Sequence, residues 1–262
     1  MLVDRFRLDG KVAVVTGAGR GIGAGCALAF AEQGANVVCA ARTKEQVEAT
    51  CAQARTHGLK ALPVVCDVMQ RADLEGVVAA TMAEFGRVDV LVNNAGGTPP
   101  MEALHTSEAM FEEAFRFNVT SAFLMTRLLV PKMLDSAGGG SIVNISSAAG
   151  RLVMAGFVAY GTAKAALSFM TRELGREFAP KVRVNAVAVG AVETSALAPF
   201  LDDDLRGKME ALTPMRRIGT VDDIALAALY LASPASSWVT GKVFEVDGGT
   251  EATNWPFEPP SI

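Results

Sequence analysis

Short apolar runs alternate along the chain with longer stretches in which apolar residues recur every three or four positions. The runs are rich in valine and predict strands at 12–16, 36–41, 61–66, 88–92, 141–145, 183–189 and 242–246. The longer stretches predict helices at 21–33, 44–56, 71–85, 107–134, 157–178 and 221–232. Residues 191–220 carry no regular pattern, and the proline-rich tail 255–262 predicts an extended segment.

The predicted strands are apolar at nearly every position and do not alternate with polar residues. Such strands are buried on both faces, which is typical of a parallel sheet. Strand–helix alternation with right-handed crossovers then predicts an α/β fold, a doubly wound parallel sheet of Rossmann type with helices on both faces. No Pro-, Gly- or Ser-rich linker divides the chain, so residues 1–262 are predicted to form a single domain.

Composition narrows the choice of partners and location. The formal net charge of −4 and the pI of about 5.3 disfavour nucleic acid as a partner. No apolar run is long enough to span a bilayer, and the charged start of the chain lacks the apolar core of a signal peptide. Cys26, Cys39, Cys51 and Cys66 have no metal-ligand spacing. We therefore expect reduced, mostly buried thiols, no metal site, no membrane partner and a cytoplasmic location.

A glycine-rich turn follows the first strand and opens the first helix. It contains Gly17, Gly19, Arg20, Gly21, Ile22 and Gly23. Glycine permits a tight turn and lets the backbone approach a pyrophosphate, which the free N–H groups of the helix N-terminus then bind. A purely structural turn is the alternative, but the strand–turn–helix context favours a dinucleotide site.

The end of the second strand bears on the choice of cofactor. An acidic residue there would accept the ribose 2′-OH of NAD, but this chain reads Ala40-Ala41-Arg42. Arg42 and Arg20 together suit a 2′-phosphate, which guanidinium groups bind through charge-assisted hydrogen bonds. The sequence therefore predicts NADP(H) as the preferred cofactor with NAD(H) possible, unless both arginines are solvated surface residues.

Tyr160 and Lys164 are four residues apart and project from one face of a predicted helix. A nearby ammonium, together with the positive charge of oxidised nicotinamide, would lower the phenol pKa and suit Tyr160 to acid–base work. The Ser147 hydroxyl could stabilise a developing oxyanion, and Asn118 could hold a proton-relay water near Lys164. Each residue taken alone is as readily a helix-surface, cap or turn residue.

Taken together, these motifs resemble the short-chain dehydrogenase/reductase family over essentially the whole chain. Thr16-Gly17-x-x-x-Gly21-x-Gly23, Asn93-Asn94-Ala95-Gly96, Asn118, Ser147 and Tyr160-x-x-x-Lys164 occur in the family's order. The resemblance implies Tyr160 as acid/base, Ser147 as carbonyl polariser, Lys164 as pKa-lowering and ribose-binding residue, and Asn118 as relay support. It also implies cofactor contacts at Asp67, Val68, Asn93, Asn94, Ala95, Gly96, Gly190, Val192 and Thr194.

One position departs from the family pattern. The family usually has Pro-Gly after the sixth strand, whereas this chain has Val189-Gly190. Losing the proline frees a backbone dihedral and restores an N–H, so we expect a locally altered loop and a retained activity.

Substrate and assembly are less sharply indicated. Residues 97–105, 151–158 and 191–220 supply many apolar side chains, which favours a hydrophobic ketone or alcohol. These side chains are Met101, Leu104, Leu152, Val153, Met154, Phe157, Leu197, Phe200, Leu201 and Met209. They could equally cover the core or a subunit interface, and hydroxysteroid-like and 3-oxoacyl-like substrates both stay open. Arg216 and Arg217 could contact an anionic substrate or be surface charge. The resemblance implies a homotetramer.

Two other function classes compete with an oxidoreductase. A cofactor-binding sensor or scaffold could keep the fold without turnover, although it would have no need for the complete Ser/Tyr/Lys/Asn set. An α/β methyltransferase could use the glycine turn, but it would leave the Tyr160/Lys164 pair unexplained.

Overall fold

The fold is seen in a computed structural model, which describes residues 1–194, 197–198 and 201–256. The strands are β1 Val12–Thr16, β2 Asn36–Ala41, β3 Ala61–Val65, β4 Val90–Asn93, β5 Gly140–Ser147, β6 Val182–Val189 and β7 Val243–Val246. They form a seven-stranded sheet in the order β3-β2-β1-β4-β5-β6-β7, with every pair parallel. This confirms the predicted doubly wound α/β fold.

Helices connect consecutive strands and cover both faces of the sheet. They are α1 Gly21–Glu32, α2 Lys44–Arg55, α3 Arg71–Phe85, α4 Glu108–Phe115, α5 Ser121–Ala137, α6 Val158–Glu177, α7 Asp203–Leu212 and α8 Val221–Ala232. Short 3-10 turns lie at Leu2–Phe6, Ala103–His105, Ala148–Gly150 and Pro234–Ser236. Within the described residues, no helix has the length and apolarity needed to span a bilayer.

Two apolar clusters explain why the strands are hydrophobic throughout. On one face, Phe30 of α1 and Ile224 of α8 pack on alternate strand residues such as Val15. On the other face, Leu74 of α3 and Met125 of α5 pack on the intervening residues of the same strands. Because both faces of each central strand are covered, nearly every strand position is apolar.

The structure departs from the predicted elements in two places. The helix predicted over 107–134 is broken by a π-helical turn, Arg116–Thr120, between α4 and α5. The periodic pattern continues through this turn, so apolar spacing alone does not reveal it. Helix α7 lies inside the stretch that carried no pattern, and Asp202 caps its N-terminus by accepting from the Leu205 N–H.

The strand order places a crevice at one end of the sheet. Strands β2 and β3 extend from one side of β1, whereas β4 to β7 extend from the other. The helices that follow β1 and β4 therefore leave in opposite directions. The gap between them, at the carboxyl ends of the strands, is where ligands bind in open α/β sheets.

Candidate active site

A groove of about 570 Å³ occupies this crevice. It extends from Arg42, beyond the end of β2, to Tyr160 on α6. The predicted site residues that line it are Gly17, Gly19, Arg20, Gly21, Ile22, Arg42, Asp67, Val68, Asn94, Ala95, Gly96, Ser147, Tyr160, Lys164, Gly190, Val192 and Thr194. Of the predicted residues, Gly23, Asn93 and Asn118 are not part of the lining.

The glycine turn has the close packing that the sequence predicted. Gly17 and Gly21 have φ values of +67° and +57°, a backbone region that favours glycine. A Cβ at Gly17 would lie 2.7 Å from Asn94 Nδ2, and one at Gly23 would lie 2.4 Å from the Gly17 carbonyl oxygen. The turn is thus a cradle that side chains would fill, which fits a pyrophosphate at the start of α1.

Asn94 joins the ends of β1 and β4 beneath this cradle. Its side-chain amide donates to the carbonyls of Thr16 at 3.0 Å and Gly17 at 3.2 Å. The Thr16 hydroxyl accepts from the backbone N–H of Asn94 at 3.0 Å and of Ala95 at 3.2 Å. These bonds fix the width of the groove at the strand switch point.

Asn93 was expected to line the groove, but the structure places it elsewhere. It is the last residue of β4 and is buried, and its amide donates to Asn144 Oδ1 at 2.9 Å and to Thr126 Oγ1 at 3.2 Å. Successive strand residues point to opposite faces, so Asn93 enters the core beneath α5 while Asn94 turns toward the groove.

Tyr160 and Lys164 meet at the other end of the groove. They lie one turn apart on α6, and Lys164 Nζ lies 5.6 Å from the centroid of the Tyr160 ring. Lys164 is buried, and its Nζ donates to the Ile145 carbonyl of β5 at 2.9 Å. Ser147, at the end of the same strand, is hydrogen-bonded to the Tyr160 phenol. The three predicted side chains are therefore neighbours.

Burial sets the acidity of this pair. It raises the pKa of the Tyr160 phenol from its ordinary value, and the hydrogen bond from Ser147 offsets only part of this rise. Burial also lowers the pKa of Lys164 to about 8. The sequence predicted a phenol made acidic by the ammonium together with oxidised nicotinamide, and among the protein's own groups desolvation of the phenol is the largest effect.

Asn118 lies in the π-helical turn and is buried. Its Oδ1 accepts from the Gly97 N–H at 2.8 Å, and its amide donates to the Ala114 carbonyl at 2.9 Å. A Cβ at Gly96 would lie 2.7 Å from Asn118 Oδ1 and 3.1 Å from Lys164 Nζ. Both side chains thus converge on Gly96, and of the two only Lys164 itself lines the groove.

Comparisons with known proteins show the family of this chain. A family model described as enoyl-(acyl carrier protein) reductase matches residues 17–251. The chain is 48% identical over 263 residues to an uncharacterized oxidoreductase of Mycobacterium tuberculosis, covering 100% of both chains. It is 38% identical over 247 residues to 7alpha-hydroxysteroid dehydrogenase of Escherichia coli strain K12, covering 94% of this chain and 96% of that protein. The chain belongs to the short-chain dehydrogenase/reductase family of oxidoreductases.

A solved member of the family has the same fold. It is a 7 alpha-hydroxysteroid dehydrogenase complexed with NADH and 7-oxo glycochenodeoxycholic acid. It superimposes with a TM-score of 0.91 at 38% identity, covering 95% of this chain and 97% of that one. Proteins of this family bind a nicotinamide cofactor, and the glycine cradle and groove described above have the form that such a cofactor requires.

Other residues line the groove without having been predicted. They include Thr43, Gln46, Cys66, Phe117, Ser146 and Val189. Gln46 packs on the glycine turn, since a Cβ at Gly19 would lie 2.9 Å from its Oε1. The one sequence signal for this contact is that Gln46 lies in the first turn of α2, the helix that follows β2. Glutamine near a helix start has no distinct pattern, so the sequence did not predict the contact.

The departure from the family's Pro-Gly is accommodated within the sheet. Val189 is the last residue of β6 and pairs with Ser147 on one side and Val246 on the other. The Gly190 N–H donates to the Val246 carbonyl at 3.1 Å. Strand pairing therefore continues through the position where the family has proline.

The apolar side chains expected to shape the substrate site differ widely in their exposure. Met209 is buried in α7 and belongs to the core, whereas Leu104 and Val153 are 83% and 93% exposed. Phe157 stands beside Tyr160, with ring centroids 6.0 Å apart. Phe200 lies outside the described residues, as do tail residues 257–262.

The two arginines considered for anion binding are engaged within the chain. Arg217 forms two hydrogen bonds with the Asp223 carboxylate, at 2.7 and 2.8 Å. Arg216 donates to the Ala211 carbonyl. These contacts favour the structural interpretation of both side chains.

Proposed function

We propose that this family member is an NADP(H)-dependent oxidoreductase that interconverts a hydrophobic secondary alcohol and a ketone, with Tyr160 as the acid/base. The observation that carries the proposal is the grouping of Ser147, Tyr160 and Lys164 at one end of the dinucleotide groove. A cofactor-binding sensor would need the groove but not this grouping.

Each side chain has a definite task in this proposal. A nicotinamide cofactor, when bound in the groove, would supply or accept the hydride. The Ser147 hydroxyl donates to the substrate oxygen and orients it, and Tyr160 gives that oxygen a proton during reduction or removes one during oxidation. The raised pKa of Tyr160 keeps the phenol protonated at neutral pH, which suits it to act as the acid in ketone reduction.

Lys164, which lines the groove, and Asn118, which lies behind it, support the proton transfer. The Lys164 ammonium lies against the Tyr160 ring and favours the phenolate once the proton has left. Asn118 holds the backbone at Gly97 and approaches Gly96 from the same side as Lys164. Removing either side chain would disturb the path by which the phenol regains its proton.

The preference for NADP(H) rests on charge at the far end of the groove. Arg20 and Arg42 both line it, and Asp67 is the only acidic residue among the described lining residues. Two guanidinium groups suit a 2′-phosphate, and no carboxylate at the end of β2 would accept a ribose 2′-OH. The solved relative carries NADH, so this preference derives from the arginines of this chain and not from the comparison.

The substrate class rests on the loops around Tyr160. Phe157 and Met154 precede α6 and are both partly buried, and the Phe157 ring lies beside that of Tyr160. The solved relative binds a 7-oxo bile acid, a bulky ring ketone. We propose a ring ketone, or the corresponding alcohol, as the substrate class. The homotetramer and the cytoplasmic location remain predictions.

A panel of ketones assayed in parallel with NADPH and NADH tests this function. We expect ketone-dependent oxidation of NADPH, fastest with ring ketones, and slower oxidation of NADH. A protein that binds NADPH tightly but oxidises it with no ketone or alcohol of the panel would favour the sensor. A calorimetric preference for S-adenosylmethionine over NADPH would instead favour the methyltransferase.

A further inference from the structure

The segment after β7 returns to the catalytic end of the groove. Asn254 is buried, and its amide donates to the Thr213 hydroxyl at 2.9 Å, just beyond α7. The Gly248 carbonyl accepts from the Met215 N–H at 3.1 Å. These bonds hold residues 248–256, which we call the C-terminal segment, against the loop that follows α7.

Arg151 anchors the C-terminal segment from the other side. This residue lies four positions after Ser147, and its guanidinium donates to the Thr250 carbonyl at 2.7 Å. It also pairs with Glu245 at 3.1 Å, and with Asp247 and Glu251 at 3.2 Å each. One planar cation thereby fixes the C-terminal segment to the loop between β5 and α6.

Three aromatic rings follow one another from the C-terminal segment to the reacting phenol. Trp255 meets Phe157 edge-on, with ring centroids 5.5 Å apart and an interplanar angle of 85°. Phe157 meets Tyr160 in the same manner at 6.0 Å and 60°. Both separations and angles are those of favourable edge-to-face pairs.

The loop that carries Phe157 is held in place. The Gly156 carbonyl accepts from the Met101 N–H at 2.8 Å, and the φ of Gly156 is +78°. This bond holds the backbone that leads into Phe157, and Trp255 packs on the Phe157 ring. The rings of Phe157 and Trp255 extend apolar surface outward from Tyr160.

We propose that Phe157 and Trp255 form an aromatic wall that binds the apolar body of a ring ketone whose carbonyl reaches Tyr160. Trp255, the outer residue, then determines how strongly large ring systems bind. The inference rests on the proposed function for its kinetic readout, since it names a substrate contact of the same site. A small ketone reaches only as far as Phe157, whereas a fused-ring ketone extends to Trp255.

Kinetics of Trp255→Ala and Trp255→Phe with two ketones test the wall. Cyclohexanone is the small probe and 7-oxo glycochenodeoxycholic acid is the large one, both with saturating NADPH. We expect Trp255→Ala to raise the KM of the large probe on the order of tenfold, with kcat and the KM of cyclohexanone changed less than about twofold. Trp255→Phe should restore most of the affinity. The matched control is Trp238→Ala, because Trp238 is 98% exposed.

Fluorescence gives a readout that needs no turnover. The chain has two tryptophans, so Trp238→Phe leaves Trp255 as the sole emitter. Its emission should change saturably with the large probe, whereas the emission of Trp255→Phe should not. If no ketone is reduced but this change occurs, the proposed function fails while the wall stands.

Two kinetic results would overturn the wall even in an active enzyme. One is an equal change in KM for both probes in Trp255→Ala, which would indicate a general loss of structure. The other is a lowered KM for the large probe, as expected of a residue that obstructs the site. An unchanged Trp255 emission at saturating large probe would contradict the contact directly.

Discussion

Lys164 is a buried cation whose pKa, lowered to about 8, lies well below the value of 10.5 expected when it is exposed. Between these values the unfolded chain holds a proton at this site that the folded chain has released. The free energy of unfolding therefore rises with pH between these two pKa values. Below the lower value, the charge on Lys164 contributes no stability to the folded protein.

The lowered pKa of Lys164 predicts a measurable pH dependence of the free energy of unfolding. Relative to Lys164→Met, the free energy of unfolding of the wild type should increase from pH 8 to pH 10.5, by up to about 3 kcal/mol. Urea titrations of both cofactor-free proteins at several pH values measure this difference. A difference that stays flat or falls across the interval would show that Lys164 is not desolvated in the folded protein.

Arg42 provides the residue-scale test of cofactor choice. Arg42→Ala should weaken NADPH binding about tenfold or more and leave NADH binding nearly unchanged, because only NADPH carries the 2′-phosphate. Lys44→Ala is the matched control, since Lys44 is an exposed cation two residues away that pairs with Glu48 and lies outside the groove. Equal losses for both cofactors in Arg42→Ala would remove the NADP assignment.

At the scale of elements, the glycine turn, the end of β4 and helix α6 explain why much of the candidate site could be predicted from the sequence. Glycines, the Asn94 motif and the Tyr160/Lys164 spacing each have a geometric reason to occur where they do. The π-helical turn at Asn118 has no such local pattern, because tertiary contacts select it, whereas helix α7 begins at the cap residue Asp202, a local signal that the sequence prediction did not use. The desolvation of Tyr160 has no local pattern either, since burial is a property of the assembled fold.

Gly96 tests the packing of elements behind the groove. Gly96→Ala places a methyl group against Asn118 and Lys164, and these side chains approach from the π-helical turn and from α6. We expect at least a tenfold loss of kcat/KM for NADPH with cooperative folding retained, measured by initial rates and thermal unfolding.

The control for this change lies on α3. Gly76 is exposed and has open space around it, so Gly76→Ala should leave kcat/KM unchanged and stabilise the protein by about 0.5–1 kcal/mol. If Gly96→Ala retained full activity, the convergence of Asn118 and Lys164 on this glycine would have no functional role.

At the scale of the whole molecule, apolar side chains on α5 and α6 stay exposed, Phe123 at 40% and Phe169 at 59%. Helix α5 begins just after the turn that contains Asn118, and α6 contains Tyr160. The resemblance to the family implies that both helices lie in the tetramer interface. Light scattering coupled to size exclusion should give a tetramer for the wild type and a smaller species for Phe169→Glu. Leu2→Glu, on an exposed terminal turn, is the control. A monomeric wild type would contradict the assembly.

A single groove at the strand switch point is lined by Arg20 and Arg42, by the glycine cradle and by the Tyr160/Lys164 pair. The central claim is that the Tyr160 hydroxyl transfers the proton. Its most direct test is Tyr160→Phe, which removes one oxygen and keeps the ring that packs on Phe157.

The measurement compares single-turnover oxidation of NADPH by a ring ketone in wild type and Tyr160→Phe, with NADPH affinity determined in parallel. We expect Tyr160→Phe to lower this rate on the order of 10²–10⁴-fold and to change the NADPH affinity less than about threefold. A variant that binds NADPH normally and reduces the ketone at the wild-type rate would contradict the central claim.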